Sequence, residues 1–166
     1  MSIAQTIAPC LWFDDQAEEA AKYYTGIFKN SKILEIARYG EAGKIIHRRA
    51  PGSVMVVAFE LDGQKFSALN GGPVVTFNEA VSFQVQCDTQ EQIDYHWTKL
   101  SQGGDPKAQQ CGWLKDKYGV SWQVVPRILT ELLKDPESEK SQRAMTALLR
   151  MKKIDIAELQ QAYTTA

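Results

Sequence analysis

Three strand-like runs that follow one another without helical runs between them constrain this chain most. Lys32–Tyr39 alternates enough to be a strand, and Val54–Leu61 and Lys65–Leu69 flank the dipeptide Asp62-Gly63. Asp-Gly between two such runs favours a tight hairpin, because both central residues of that turn take positive φ. Ahead of them, Thr6–Phe13 is a short apolar run bounded by Asp14-Asp15 and reads as a buried strand. Asp14 or Asp15 then caps a helix from near Gln16, with Ala17, Ala20, Ala21, Tyr24 and Phe28 at helical spacing, ending before Lys29-Asn30-Ser31. Gly40–Ser53 reads as a flexible segment.

The same order recurs. Ala80–Cys87 alternates, Val81, Phe83 and Val85 pointing one way and Ala80, Ser82, Gln84 and Gln86 the other. Asp88 and Thr89 cap a helix from about Gln90 to Leu100 or Ser101, ended by Gly103-Gly104. Lys107–Cys111, Trp113–Asp116 and Ser121–Val125 supply three short strands, with Lys117-Tyr118-Gly119 as a hairpin connection. The trailing strands lack crossover helices, so two βαβββ modules fit better than an alternating parallel sheet. The expected class is α+β, paired βαβββ modules with a C-terminal helical extension. Residues 1–126 form one domain from modules of about 1–75 and 76–126, and 127–166 form the extension.

In that extension, Ile128–Lys134 reads as a short amphipathic helix. Asp135-Pro136 opens another that runs through Met151 with an Ala144, Leu148 and Met151 stripe. Asp155 caps a last helix containing Ile156, Leu159 and Ala162. The tail is expected to cover a sheet edge or a partner subunit.

Composition excludes several functions. Nineteen Lys+Arg against 20 Asp+Glu give a net charge of −1, which offers no electrostatic footprint for nucleic acid. No apolar run reaches the roughly 18 residues of a membrane span. Met1–Thr6 lacks the basic start and apolar run of a signal peptide, so a cytoplasmic protein is expected. Cys10, Cys87 and Cys111 form neither a disulfide framework nor a zinc knuckle, and His47 and His96 are too few for a histidine-rich metal site.

Two longer stretches carry a family resemblance. Phe66-Ser67-Ala68-Leu69-Asn70-Gly71-Gly72-Pro73 with Phe77-Asn78-Glu79-Ala80-Val81-Ser82-Phe83 is the first, and the second runs from Cys111-Gly112-Trp113-Leu114-Lys115-Asp116 to Trp122-Gln123-Val124-Val125-Pro126. They resemble the PhnB-like branch of the vicinal oxygen chelate superfamily, which includes glyoxalase I, extradiol dioxygenases and bleomycin-resistance proteins. Members with these motifs often carry the name 3-demethylubiquinone-9 3-methyltransferase. The resemblance implies the glyoxalase/bleomycin-resistance fold, with strands curling around a cupped cleft. In metalloenzyme members, strands one, four, five and eight offer His, Glu or Gln to a divalent metal. Carried over, these positions fall near Ala8 or Pro9, near Ala68 or Asn70, at Ala80 and at Gln123, so the metal pattern is absent at most of them. Neutral amides compensate a divalent cation poorly, so no metal and no cofactor is expected.

The expected cleft is lined by neutral polar and aromatic groups: Trp12, Asn70, Ser82, Gln84, Trp113, Lys115 and Gln123. Trp122 and Val124 should face the helices, leaving Ser121 and Gln123 toward the cleft. Gln123 reads equally as a strand amide serving its neighbours, and Trp113 and Trp122 read more readily as core than as a ligand platform. His47 reads as a solvated loop histidine, Asp116-Lys117 as hairpin and rim, and Cys111 as a packed thiol. Arg48-Arg49 reads as solvated, or as part of a loop closing on an anion. The expected function is binding of a small organic molecule by a homodimer. An enzyme acting on an aromatic or quinone-like substrate and a drug-sequestering resistance protein are the alternatives.

Overall fold

Asp62 and Gly63 take φ values of 48° and 78°, and the turn they form joins β3 (Val54–Leu61) to β4 (Gln64–Asn70). The computed structural model describes residues 6–165, so residues 1–5, read above for a signal segment, lie outside it. The chain divides into two compact units, Met1–Thr76 and Phe77–Ala166.

In the first unit, β1 (Cys10–Phe13), α1 (Ala17–Ile27) and β2 (Lys32–Arg38) precede the hairpin, and the sheet order is β1-β4-β3-β2. β1 runs parallel to β4, and the other pairs are antiparallel. Alanines at 17, 20 and 21 let α1 approach the sheet closely, and with Tyr24 and Ile27 they are buried. Across from them lie Leu11, Phe13, Val57, Phe59, Phe66 and Ala68, where Phe59 stacks between Tyr24 and Phe66. Alternating side chains of one sheet face thereby meet a single helix face. Neither Asp14 nor Asp15 caps α1. Asn70, at the end of β4, accepts from the Ala17 N–H at 2.8 Å instead. The 40–53 segment contains a single helical turn, α2 (Lys44–His47).

The second unit holds β5 (Phe83–Cys87), α3 (Gln90–Ser101), β6 (Trp113–Lys115) and β7 (Ser121–Pro126), with sheet order β5-β7-β6. β5 is parallel to β7, and β6 is antiparallel to it. The strand expected at Lys107–Cys111 does not form. Pro106–Ala108 is a 3₁₀ turn capped by Asp105, and only an isolated bridge links Gln110 to Trp113. Cys111 and Gly112, both at positive φ, break extended backbone just before β6. β5 also starts later than expected, because the Asn78 side chain takes the Ala80 N–H into a local turn, and Val81 is exposed instead of sharing a buried face.

The tail belongs to this second unit. It contributes α4 (Leu129–Leu132), α5 (Glu139–Leu148) and α6 (Ile156–Thr164). Leu132, Ala144, Leu148, Met151, Ile154 and Leu159 form a core with Val125 of β7, and Cys111 packs on it. Asp155 caps α6 as expected, accepting from Glu158 N–H at 2.9 Å. α5 starts later than expected, at Glu139, because Asp135 folds its carboxylate onto Glu137 N–H in a separate turn. Met151 lies beyond its end. No described helix is long and apolar enough to cross a membrane.

Candidate functional site

The second sheet has two unlike faces, set by strand parity. Val85, Cys87, Leu114, Trp122 and Val124 are buried on the side that α3 covers with Ile93, Trp97 and Leu100. The other side carries Gln84 and Gln86 on β5, Trp113 and Lys115 on β6, and Ser121, Gln123 and Val125 on β7. Ser82 immediately precedes β5. Five expected residues, Ser82, Gln84, Trp113, Lys115 and Gln123, thus share one face, and Trp122 and Val124 face the helix.

The amides on that face form a directed chain. Gln86 Nε2 donates to Gln84 Oε1 at 3.3 Å, Gln84 Nε2 to Gln123 Oε1 at 3.3 Å, and Gln123 Nε2 to Ser82 Oγ at 2.8 Å. Each amide keeps a second N–H for another acceptor. Trp113 is the register partner of Gln123, placing a half-buried ring beside that chain. Lys115 pairs with the Glu79 carboxylate, whose pKa its hydrogen bond holds below the usual carboxylate value. Asp116 is not at a solvated rim. It is buried, accepts from Tyr118 and Val120 N–H at 2.9 and 3.0 Å, and takes the Trp122 indole N–H at 2.8 Å. The β6–β7 connection is therefore a knot tied by one carboxylate.

The two first-unit candidates serve the frame of their own unit. Asn70 accepts from Ala17 N–H and donates from Nδ2 to Val54 O at 3.1 Å, on the side of the sheet that holds α1. Ala68, the other fourth-strand position, faces the same helix and is fully buried. Trp12 donates its indole N–H to Gly72 O at 2.9 Å. Its ring lies where a Cβ on Gly71 would come within 2.1 Å, so only glycine fits there. Arg48 is exposed, whereas Arg49 is half-buried and donates to the carboxylate and main-chain oxygen of Asp14. His47 is likewise engaged, its ring tilted against Tyr39 at 4.5 Å between centroids, with Nδ1 accepting from Arg49 N–H.

None of the three cysteines has a nucleophile's surroundings. Burial pushes the Cys87 thiol up to about 11, far from the depressed value a reactive thiol needs. Cys10 is exposed, and Cys111 packs on the tail core with Gln110 Nε2 directed at its sulfur. The donor set likewise does not fit a divalent cation. The open face offers amides, hydroxyls, an ammonium and the single carboxylate of Glu79, and among the described residues no three His, Cys, Asp or Glu side chains gather at one point.

Parity in the sequence already placed Gln86 and Ser121 on this surface, though neither was singled out as a lining residue of the cleft, and Glu79 was missed. Nothing local to Glu79 announced a contact with β6.

Residues 5–125 match the family described as 3-demethylubiquinone-9 3-methyltransferase. A PhnB protein from Bacillus cereus is 39% identical, with 74% of this chain and 99% of that one covered and a TM-score of 0.62. Protein PA1353 from Pseudomonas aeruginosa is 18% identical over 74% of this chain and 98% of its own, with a TM-score of 0.57. The fosfomycin resistance protein FosX from Listeria monocytogenes, solved with manganese(II) and sulfate, is 14% identical over 80% and 97%, with a TM-score of 0.52. Among curated proteins, none matches. The α+β architecture of two small sheets with helices is the glyoxalase/bleomycin-resistance fold. The matched span and the Bacillus relative together make this chain a member of the PhnB-like, 3-demethylubiquinone-9 3-methyltransferase family.

Proposed function

We propose that the chain binds a small organic molecule on the polar face of its second sheet, without a divalent metal. The observation that carries this reading is the directed amide chain Gln86–Gln84–Gln123–Ser82, which lies beside Trp113 and keeps N–H groups for a ligand. Convergent polar groups beside an aromatic ring are the usual makings of a ligand site. Mass spectrometry of the protein purified under native conditions tests it: a copurified molecule is expected, and Gln123→Ala should lose it. Retention of that molecule by Gln123→Ala would sink the assignment.

An enzyme acting on a flat aromatic or quinone-like substrate is the second reading, favoured by the Trp113 ring and by the family's description. Transfer from S-adenosylmethionine usually relies on a strand, a glycine-rich turn and a helix start in a doubly wound sheet. Here Gly71-Gly72-Pro73 follows β4 but leads into irregular chain, and Gly103-Gly104 follows α3. Calorimetric binding of S-adenosylmethionine would move the weight to methyl transfer. The reading also includes a homodimer, supported by Ile45 and Ile46 of α2, which stand almost wholly exposed; light scattering reporting a monomer would count against it. Cytoplasmic residence fits three free cysteines.

A further inference from the structure

The polar face holds one cation and one buried hydroxyl that its amide chain does not engage. Ser121 is 2% exposed, and its Oγ has no hydrogen-bond partner among the described residues. Native proteins leave few buried hydroxyls in that state, and each asks for an explanation. Ser121 is the register partner of Lys115 across β6 and β7, and opposed residues on one sheet face stand within side-chain reach. The ammonium of Lys115 is held by Glu79. Glu79 belongs to the segment leading into β5, which is tied to this end of the sheet along its length. Phe77 Cβ lies 3.9 Å from where a Cβ on Gly119 would stand, Glu79 pairs with Lys115, and Ser82 accepts from Gln123. Glu79 itself is 61% exposed, so its carboxylate can leave Lys115 for water without losing solvation.

We propose that Lys115 is a carboxylate-binding subsite whose resident occupant is Glu79, and that a small monocarboxylate displaces Glu79 and hydrogen-bonds Ser121 Oγ. The proposal rests on the ligand-face reading above and names the class of molecule that face takes. The charge balance decides the class. One ammonium among neutral amides and hydroxyls compensates one negative charge, and a dianion such as phosphate would leave a second charge poorly matched. The internal occupant is itself a carboxylate, so the subsite already accepts that geometry.

Sodium benzoate, with inorganic phosphate at matched ionic strength as comparison, is titrated into the ¹⁵N-labelled full chain. The readout is the amide resonances of Lys115, Ser121 and Gln123. Benzoate is expected to shift these resonances more than phosphate does. Glu79→Gln should bind benzoate about fivefold more tightly, since an exposed ion pair competes only modestly. Lys115→Met should abolish the response and Lys115→Arg should retain it. Ser121→Ala should weaken benzoate binding while leaving the unliganded Tm unchanged or higher, because it removes an unsatisfied group.

Equal affinity of Glu79→Gln and the parent chain, undiminished binding by Lys115→Met, or a phosphate response matching that of benzoate would each overturn the proposal. Binding that stays on the face yet ignores both Glu79→Gln and Lys115→Met defeats the carboxylate subsite alone. Shifts confined to residues away from β5, β6 and β7 defeat the ligand-face reading as well.

Discussion

Asn70 on β4 and Gln123 on β7 occupy related places, since each lies on the strand that runs parallel to the first strand of its unit. Asn70 points to the helix side of its sheet. There it takes the first free N–H of α1 and ties β4 to the start of β3, so both ends of its amide serve the unit's own backbone. Gln123 points away from α3, and among the described residues its amide hydrogen-bonds only to side chains, those of Ser82 and Gln84. Backbone partners are positioned by the fold and hold an amide permanently. Side-chain partners can rearrange, so amides on that face remain able to meet a ligand. Parity relative to the helix therefore separates an amide committed to the frame from the one proposed to meet a ligand.

Substitutions test this contrast directly. Asn70→Ala should cost the most, about 2–3 kcal/mol in urea unfolding, because it leaves the Ala17 N–H and the Val54 carbonyl without buried partners. A loss under about 1 kcal/mol would remove Asn70 from the frame. Gly71→Ala should come next, at about 1–3 kcal/mol, with a change in tryptophan fluorescence as the added methyl displaces the Trp12 ring. An unchanged emission spectrum would show that the ring is not held there. Gln123→Ala should cost only about 0.5–1 kcal/mol in the same unfolding assay while abolishing retention of a copurified molecule. Equal stability losses at positions 70 and 123 would erase the distinction between the two amides.

The smallest effect concerns the cysteines. Cys87 is buried against α3, and its thiol is raised from 9.0 to about 11, so the folded state favours the neutral thiol. Its contribution to stability is complete below the unfolded value of 9.0 and is lost as pH rises toward 11. Thiol labelling at pH 8 should accordingly modify exposed Cys10 quickly and leave Cys87 protected until unfolding or strong alkali. Fast labelling of Cys87 at pH 8 would show that this helix-covered face opens readily.

Much of the architecture was legible in residue patterns. The Asp62-Gly63 hairpin, α1, α3 and the Asp155 cap all follow from signals a few residues long, and they appear where those signals lie. The alternation of Ser121–Val125 likewise placed Gln123 opposite Trp122. The errors came where a stronger partner, distant or local, took the place of the expected signal. The Asp14-Asp15 pair looks like a helix cap, but Asn70 takes that role from 53 residues away, and Asp14 instead receives Arg49. Lys107–Cys111 has strand-like residues, yet Asp105, Pro106 and the positive φ of Cys111 and Gly112 turn it into a 3₁₀ turn and a bend.

For the candidate site, the pattern of residue types was enough to establish a polar sheet face with amides, an aromatic ring and one lysine, because side-chain direction in a strand is a matter of counting by two. It could not say which of those groups are already taken. That Asn70 is committed to α1, that Asp116 knots the β6–β7 turn, and that Lys115 is held by Glu79 while Ser121 keeps an unpartnered hydroxyl were settled only by tertiary contacts. Strand direction is a local property of the backbone, whereas hydrogen-bond satisfaction depends on what distant chain arrives at the same point.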